Sequence, residues 1–311
     1  MSSSASLPAP SPAVLVWAIV GPTASGKSAA ALAAAERLGA EIVSCDSMQI
    51  YRELDVGTAK PSADERARVP HHLVDVVAPD EVYSAARWAS AADAALAEIA
   101  ARGRPALVVG GTGLYFRALR FGLMEAPPRD DTLRAQLYAE EEAAPGKLHA
   151  RLTAVDPAAA ARIAAADRVR LVRALEVHAL TGVPLSQHHA QHRPEERHPM
   201  QVLVLEPPFE WLEPRIAQRT SEMLAAGLVA ETQRVRARWG PSLPGLGAVG
   251  YAEVCQFLDG QLTEAQLAPA IVRATRRYAR RQRTWFRKEP GALRFAHPDE
   301  LTRAIEPACR P

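Results

Sequence analysis

The chain has 311 residues, 48% hydrophobic and 23% charged, with a net charge of +2. That excludes disorder as the main state and gives a length prior of about two domains, or one core with a large insertion. No apolar run approaches the roughly 18–20 residues that a bilayer span requires, and Cys45, Cys255 and Cys309 lie far apart with no C-x-x-C, so neither a disulfide framework nor a zinc site is indicated.

Met1–Ser11, rich in Ser, Pro and Ala, reads as an extension with no structure of its own. Val14–Val20 lacks the preceding basic residues of a signal peptide and reads as a buried parallel strand stopped by Gly21-Pro22. The Ala-rich stretch from Lys27 to Leu38 predicts a helix closed by Gly39. Glu41–Ser44 predicts a second strand, Tyr83–Arg102 a helix, and Ala106–Val109 a third strand. Around Met124–Pro128 the pattern changes and becomes helical from Asp130 to about Leu180; Ser186–Pro199 reads as a polar loop, and Gln201–Leu205 as a strand. The expected organisation is an α/β core, 13–123 and 200–311, with a parallel sheet and flanking helices, interrupted by a helical insertion, 124–199.

Gly21-Pro22-Thr23-Ala24-Ser25-Gly26-Lys27-Ser28 fits G-x-x-x-x-G-K-[ST] between a strand and a helix. Backbone N–H groups and the helix N-terminus would face a di- or triphosphate, Lys27 would add a point charge, and the Ser28 hydroxyl would serve Mg2+. Asp46 follows the second strand, either as a carboxylate beside that loop, able to take a proton from an amine, or as a helix cap. Thr112, in Gly110-Gly111-Thr112-Gly113 after the third strand, either points a hydroxyl into the same pocket or caps the next helix. No apolar run ending in a Walker-B-type Asp is present. Arg215 and Arg219 share a helix face, free to clamp a pyrophosphate or to pair with acids such as Glu222. His71-His72 and the group His188, His189 and His192 lack partners at zinc spacing. Between Arg273 and Lys288 lie eight basic residues and no acid, interleaved with Tyr278, Trp285 and Phe286. The rest of the chain is therefore net acidic, and the segment suits a polyanion with bases to stack.

From about Val14 to Lys288 the chain resembles the tRNA dimethylallyltransferases, or isopentenyltransferases. The resemblance rests on the phosphate loop 21–28 and on Asp-Ser-Met-Gln-Ile-Tyr-Arg (46–52), Gly-Thr-Ala-Lys-Pro (57–61), His-His-Leu-Val-Asp (71–75) and Tyr-Ser-Ala-Ala (83–86). It continues with Gly-Gly-Thr-Gly-Leu-Tyr (110–115), Arg-Ala-Leu-Glu-Val (173–177), Val-Gly-Tyr (249–251) and Arg-Arg-Gln-Arg-Thr-Trp-Phe-Arg (280–287). It implies a P-loop NTPase-like fold and transfer of a dimethylallyl group from dimethylallyl diphosphate, with Mg2+, to N6 of the adenine just 3′ of the anticodon. Lys27 and Arg219 would stabilise the leaving diphosphate, Asp46 would take the amine's proton, and Thr112 would hydrogen-bond the bridging oxygen. The tRNA contacts it implies are Asp46, Ser47, Met48, Gln49, Thr112, Arg134, Val169, Arg170, Arg173, Val249, Gly250 and Tyr251. They extend along the basic segment through Arg280, Arg281, Gln282, Arg283, Thr284, Trp285, Phe286 and Arg287. The insertion would grip the anticodon stem-loop, and the target base would be flipped into a channel.

The expected protein is a cytoplasmic monomer without membrane contact. The rival readings are a small-molecule or nucleoside kinase using ATP at the same loop, for which the basic helix has no use, and a non-catalytic RNA-binding module, which leaves Lys27, Asp46 and Thr112 without a task.

Overall fold

The computed structural model describes residues 16–192 and 194–305; Met1–Ser11, the first two residues of the expected strand 14–20, and Cys309 lie outside them. The chain divides into two compact units, Met1–Phe121 with Glu196–Pro311, and Gly122–Glu195.

The larger unit is built on a six-stranded sheet. In chain order the strands are β1 (Val16–Val20), β2 (Glu41–Cys45), β3 (His71–His72), β4 (Ala106–Gly110), β5 (Met200–Leu205) and β6 (Leu293–Phe295). They lie in the order β3-β2-β4-β1-β5-β6, and every pairing is parallel. This is the P-loop NTPase-like α/β architecture. β1 and β4, inside the sheet and covered on both faces, are apolar throughout, and successive side chains of the strands enter different cores. Ala18, Val20, Val43, Val108, Val202 and Val204 pack into one core with Trp88, Phe116 and Phe286. Trp17, Ile19, Ile42, Leu107, Leu203 and Leu205 pack into the other, beneath the alanines of the helix Lys27–Leu38 and under Leu301 and Ile305.

Register decides where the site falls. Val20 pairs with Gly110 and Val204, and Cys45 pairs with Gly110. The strands thus end in line, and the residues that follow β1, β2 and β4 emerge side by side at the carboxyl edge, where ligands of open α/β sheets collect.

Helix Lys27–Leu38 begins after Gly26 at φ 87° and ends at Gly39 in the left-handed region. The helix expected over 83–102 spans Ala85–Ala101, with the Ser84 side chain accepting the Arg87 N–H. Two strands escaped the sequence reading. β3 is only two residues long, and β6 has three, so neither offers a readable alternation; each forms by pairing with a distant strand.

The unit Gly122–Glu195 is helical, with helices at Asp131–Ala143, Lys147–Val155, Pro157–Ala160, Arg168–Thr181 and Leu185–Gln191. Its core is Leu137, Leu148, Leu152, Leu171, Val172, Leu175 and Leu185. The last helix corrects the expectation of a loop from Ser186: Leu185 buries itself in that core, and the Ser186 N–H donates to the buried Asp156 carboxylate at 2.9 Å. One apolar anchor and one hydrogen bond outweigh the polar composition of the segment.

Candidate active site at the carboxyl edge of the sheet

The phosphate loop leaves β1 at Gly21 and enters the helix at Lys27. Gly26 caps that helix without a side-chain bond, so the N–H groups at the helix start are left to a ligand. Ser25 is fully buried, and its Oγ has no hydrogen-bond partner. Lys27 Nζ donates to the Pro22 carbonyl at 3.0 Å. Burial, followed by the charge of Arg219, lowers the Lys27 pKa to about 8, against the opposing pull of Asp46 and Cys45. Arg219 comes from the helix Phe209–Ala225. Burial depresses its pKa too, while the charges of Asp46 and Glu222 raise it. Of the two alternatives for Arg219, pairing with Glu222 does not form; Glu222 accepts the Gln218 amide at 2.8 Å instead. Two crowded cations therefore wait for negative charge at the loop. A cavity of about 300 Å3 opens there, lined by Ala24–Ala29, Arg215, Gln218, Arg219 and Glu222. Arg215 spans it, with its Nε on the Ala24 carbonyl at 3.3 Å and its guanidinium 4.2 Å from the Trp211 ring centroid.

A second cavity of about 290 Å3 shares Arg219 with the first and has Thr23, Asp46, Met48, Tyr278 and Arg281 among its walls. Asp46 Oδ1 accepts the Met48 N–H at 2.8 Å. The carboxylate thus closes a turn and caps no helix. Thr112 Oγ1 accepts the Ser47 N–H at 3.0 Å, and the Thr112 N–H donates to the Cys45 carbonyl at 3.2 Å. Its hydroxyl ties the loops after β2 and β4 together rather than capping the helix Gly113–Phe121. Tyr278 sits beside both: burial and then the Asp46 charge push its phenol up, while a hydrogen bond with Thr112 pulls it down. The far wall is different in kind. Ile216, Met223 and Ile271 are apolar, and Thr220 and Thr275 spend their hydroxyls on the Ile216 and Ile271 carbonyls, each at 2.8 Å. The cavity is polar at the sheet edge and hydrocarbon-like between the helices Phe209–Ala225 and Glu264–Phe286.

Residues that the resemblance implies as RNA contacts range from exposed through half-buried to fully buried. Arg280, Arg281, Thr284, Trp285 and Arg287 are exposed on or just after the helix Glu264–Phe286. Gln282 and Phe286 are buried in it. Acids remote in sequence neutralise part of the basic run: Glu213 pairs with Arg276, and Glu206 with Arg283 at 3.2 Å. Gln49 accepts from Ser44 at 2.8 Å and donates to the carbonyls of Thr58 and Ala59. Val249 is half-buried and Gly250 buried. Tyr251 is fully buried, and its hydroxyl donates to Glu231 at 2.6 Å. In the helical unit Val169 and Arg170 are exposed, whereas Arg134 and Arg173 both bond the buried Glu176. Glu231 and Gln282's inward role were invisible to sequence reasoning, because their partners lie far along the chain.

The histidines take structural partners. His72 Nε2 lies 2.7 Å from Glu41, and His71 Nδ1 2.7 Å from the Val69 carbonyl. Among the described residues no group of three or more His, Cys, Asp or Glu could hold a metal ion.

Comparison with known proteins shows the family. A profile described as IPP transferase matches residues 49–289, and one described as isopentenyl transferase matches 14–75. A tRNA dimethylallyltransferase of Anaeromyxobacter dehalogenans is 52% identical over 93% of this chain and 98% of its own. One from Myxococcus xanthus is 48% identical over 96% and 97%. Among solved structures, the full-length tRNA isopentenylpyrophosphate transferase of Bacillus halodurans superposes with a TM-score of 0.68 at 34% identity, covering 95% of this chain and 97% of that one. A eukaryotic dimethylallyltransferase acting on tRNA superposes with a TM-score of 0.76 at 25% identity, covering 91% and 74%.

Proposed function

The chain belongs to the IPP transferase family, and from that premise we propose that it transfers a dimethylallyl group from dimethylallyl diphosphate to N6 of the adenine just 3′ of the tRNA anticodon. The observation that carries this reading is the pair of cavities sharing Arg219. One is cationic and loop-lined; the other holds a carboxylate at one end and hydrocarbon at the other. An allylic diphosphate has that same division between charge and apolar chain.

Loop N–H groups, Lys27 and Arg219 hold the diphosphate and stabilise the charge that grows as the allylic C–O bond breaks. The adenine N6 forms the new C–N bond, and its surplus proton passes to Asp46. Thr112 holds the Asp46 and Gly111 loops in register, and the protonated Tyr278 phenol keeps a second negative charge away from Asp46. Diphosphate and the N6-alkylated adenine are the products. The target base reaches the cavity only when extruded from its loop; exposed Arg280, Arg281 and Arg287 hold the RNA backbone, Trp285 offers a stacking face, and Val169 and Arg170 present the helical unit to the anticodon stem-loop.

Mg2+ fits the loop cavity, where the exposed Ser28 hydroxyl and the Glu222 carboxylate are oxygen donors of the kind this ion takes beside phosphate oxygens and water. When bound it would neutralise diphosphate charge. Among the described residues no helix is long and apolar enough to cross a membrane; a tRNA substrate supports the reading of a cytoplasmic protein.

The test is incubation with unmodified anticodon stem-loop and either labelled dimethylallyl diphosphate or labelled ATP. Label transfer from the first to the loop adenine supports the reading; phosphoryl transfer from ATP to a small acceptor, with no prenyl transfer, replaces it with a kinase.

A further inference from the structure

Gln282 belongs to the most basic stretch of the chain, yet it is only 6% exposed. Its Oε1 accepts the Thr23 N–H at 2.8 Å, and its Nε2 donates to the Gly111 carbonyl at 2.9 Å. A primary amide is suited to this, since it offers an acceptor and a donor on one plane. Space for it depends on Gly111: a Cβ there would stand 2.1 Å from Nε2.

The two partners sit in peptide units that matter. Thr23 N–H shares a planar peptide with the Pro22 carbonyl, which takes Lys27 Nζ at 3.0 Å. The Gly111 carbonyl shares a peptide with the Thr112 N–H, which donates at 3.2 Å to the Cys45 carbonyl, and that carbonyl belongs to the peptide preceding Asp46. Four hydrogen bonds therefore run in one direction, from the Lys27 ammonium through Gln282 to the backbone of Asp46, an arrangement in which each bond polarises the next.

We propose that Gln282 is a positioning residue that sets the spacing between the Lys27 end of the site, which holds the leaving diphosphate, and the Asp46 end, which receives the proton. This rests on the loop being a diphosphate site. It assigns Gln282 to the reaction centre and not to the RNA surface of its helix. A hydrophobic residue of similar size would leave the Thr23 N–H and the Gly111 carbonyl unpaired and release the loop.

Gln282→Leu and, independently, Gly111→Ala should each weaken inorganic pyrophosphate binding in Mg2+ buffer by about tenfold, the factor corresponding to the net worth of one hydrogen bond. Anticodon stem-loop affinity should stay within about twofold, and the double variant should lose less than the sum of the singles, since both changes break one contact. KM for the diphosphate should rise by a similar factor while KM for the stem-loop stays unchanged. Gly111→Ala serves where Gln282→Leu does not fold. Unchanged pyrophosphate affinity in a folded variant, even with a lowered melting temperature, overturns the proposal. So does weakened stem-loop binding with normal pyrophosphate binding, which would make Gln282 an RNA contact. Failure of the unaltered protein to bind pyrophosphate overturns the reading of the loop itself, and this proposal with it.

Discussion

Arg134 meets Glu176 through two parallel hydrogen bonds of 2.8 and 2.9 Å. The carboxylate is fully buried and also accepts from Arg173 at 2.5 Å and from the Asp130 N–H at 2.9 Å. The two arginines are therefore committed to the core of the helical unit. Burial by itself would raise the Glu176 carboxyl; hydrogen bonds from Arg134, then Arg173 and Asp130, hold it down at about 2.

Glu176→Leu leaves both guanidinium groups without their acid and should destabilise the helical unit by about 3–5 kcal/mol. The sign of the pH effect follows from a folded pKa below the unfolded one. The stabilisation is complete above about 4.5 and is lost as pH falls toward 2. Acid unfolding followed by circular dichroism checks both. Arg170→Ala, by contrast, removes an exposed cation and should lower stem-loop affinity and its salt dependence without moving the melting temperature.

Lys27→Ala should slow single-turnover transfer by about 10²–10³, or roughly 2.7–4 kcal/mol of charge stabilisation. In the unaltered protein, kcat/KM for the diphosphate should fall above about pH 8 as free-enzyme Lys27 loses its proton. Stability should move the opposite way. Between about pH 8 and 10.5 the unfolded chain keeps a proton that the folded one has released, so folding becomes more favourable as pH rises. Lys27→Met should lack that rise and melt higher near neutrality. A flat kcat/KM profile through pH 9 would count against Lys27 as the titrating group.

Asp46→Ala should slow transfer sharply and leave tRNA affinity within a small factor, because the carboxylate acts on one proton. Arg281→Ala should do the reverse, weakening tRNA binding and flattening its salt dependence by about one unit of slope or less. Equal losses of binding in both variants would refute this division of labour.

Glu231 accepts N–H groups from Asp55, Val56 and Gly57 and the Tyr251 hydroxyl. It thereby fastens the 54–58 segment, which contributes Gly57 and Thr58 to the Asp46 cavity. Tyr251→Phe should cost about 1.5–3 kcal/mol, the worth of a hydrogen bond to a charged group, and raise KM for substrate more than it lowers kcat. Denaturation together with steady-state kinetics separates the two effects.

Local sequence by itself determined the strand, loop and helix around 16–38. Glycines where φ is positive, a lysine at the helix start and a capping Gly39 act within a few residues of one another. The apolar strand runs likewise announced a sheet covered on both faces. Tertiary structure decided the rest. β3 and β6 exist only through pairing with other strands. The acids that neutralise Arg276 and Arg283 come from 63 and 77 residues away. Gln282 looks like one more polar residue in a basic helix until its partners, 259 and 171 residues distant, turn it inward. Periodicity sees neighbours three or four positions apart on a helix and two on a strand. It cannot say which buried donor meets which acceptor, because that is settled only when the packed sheet brings remote peptide groups together and each must find a partner out of water.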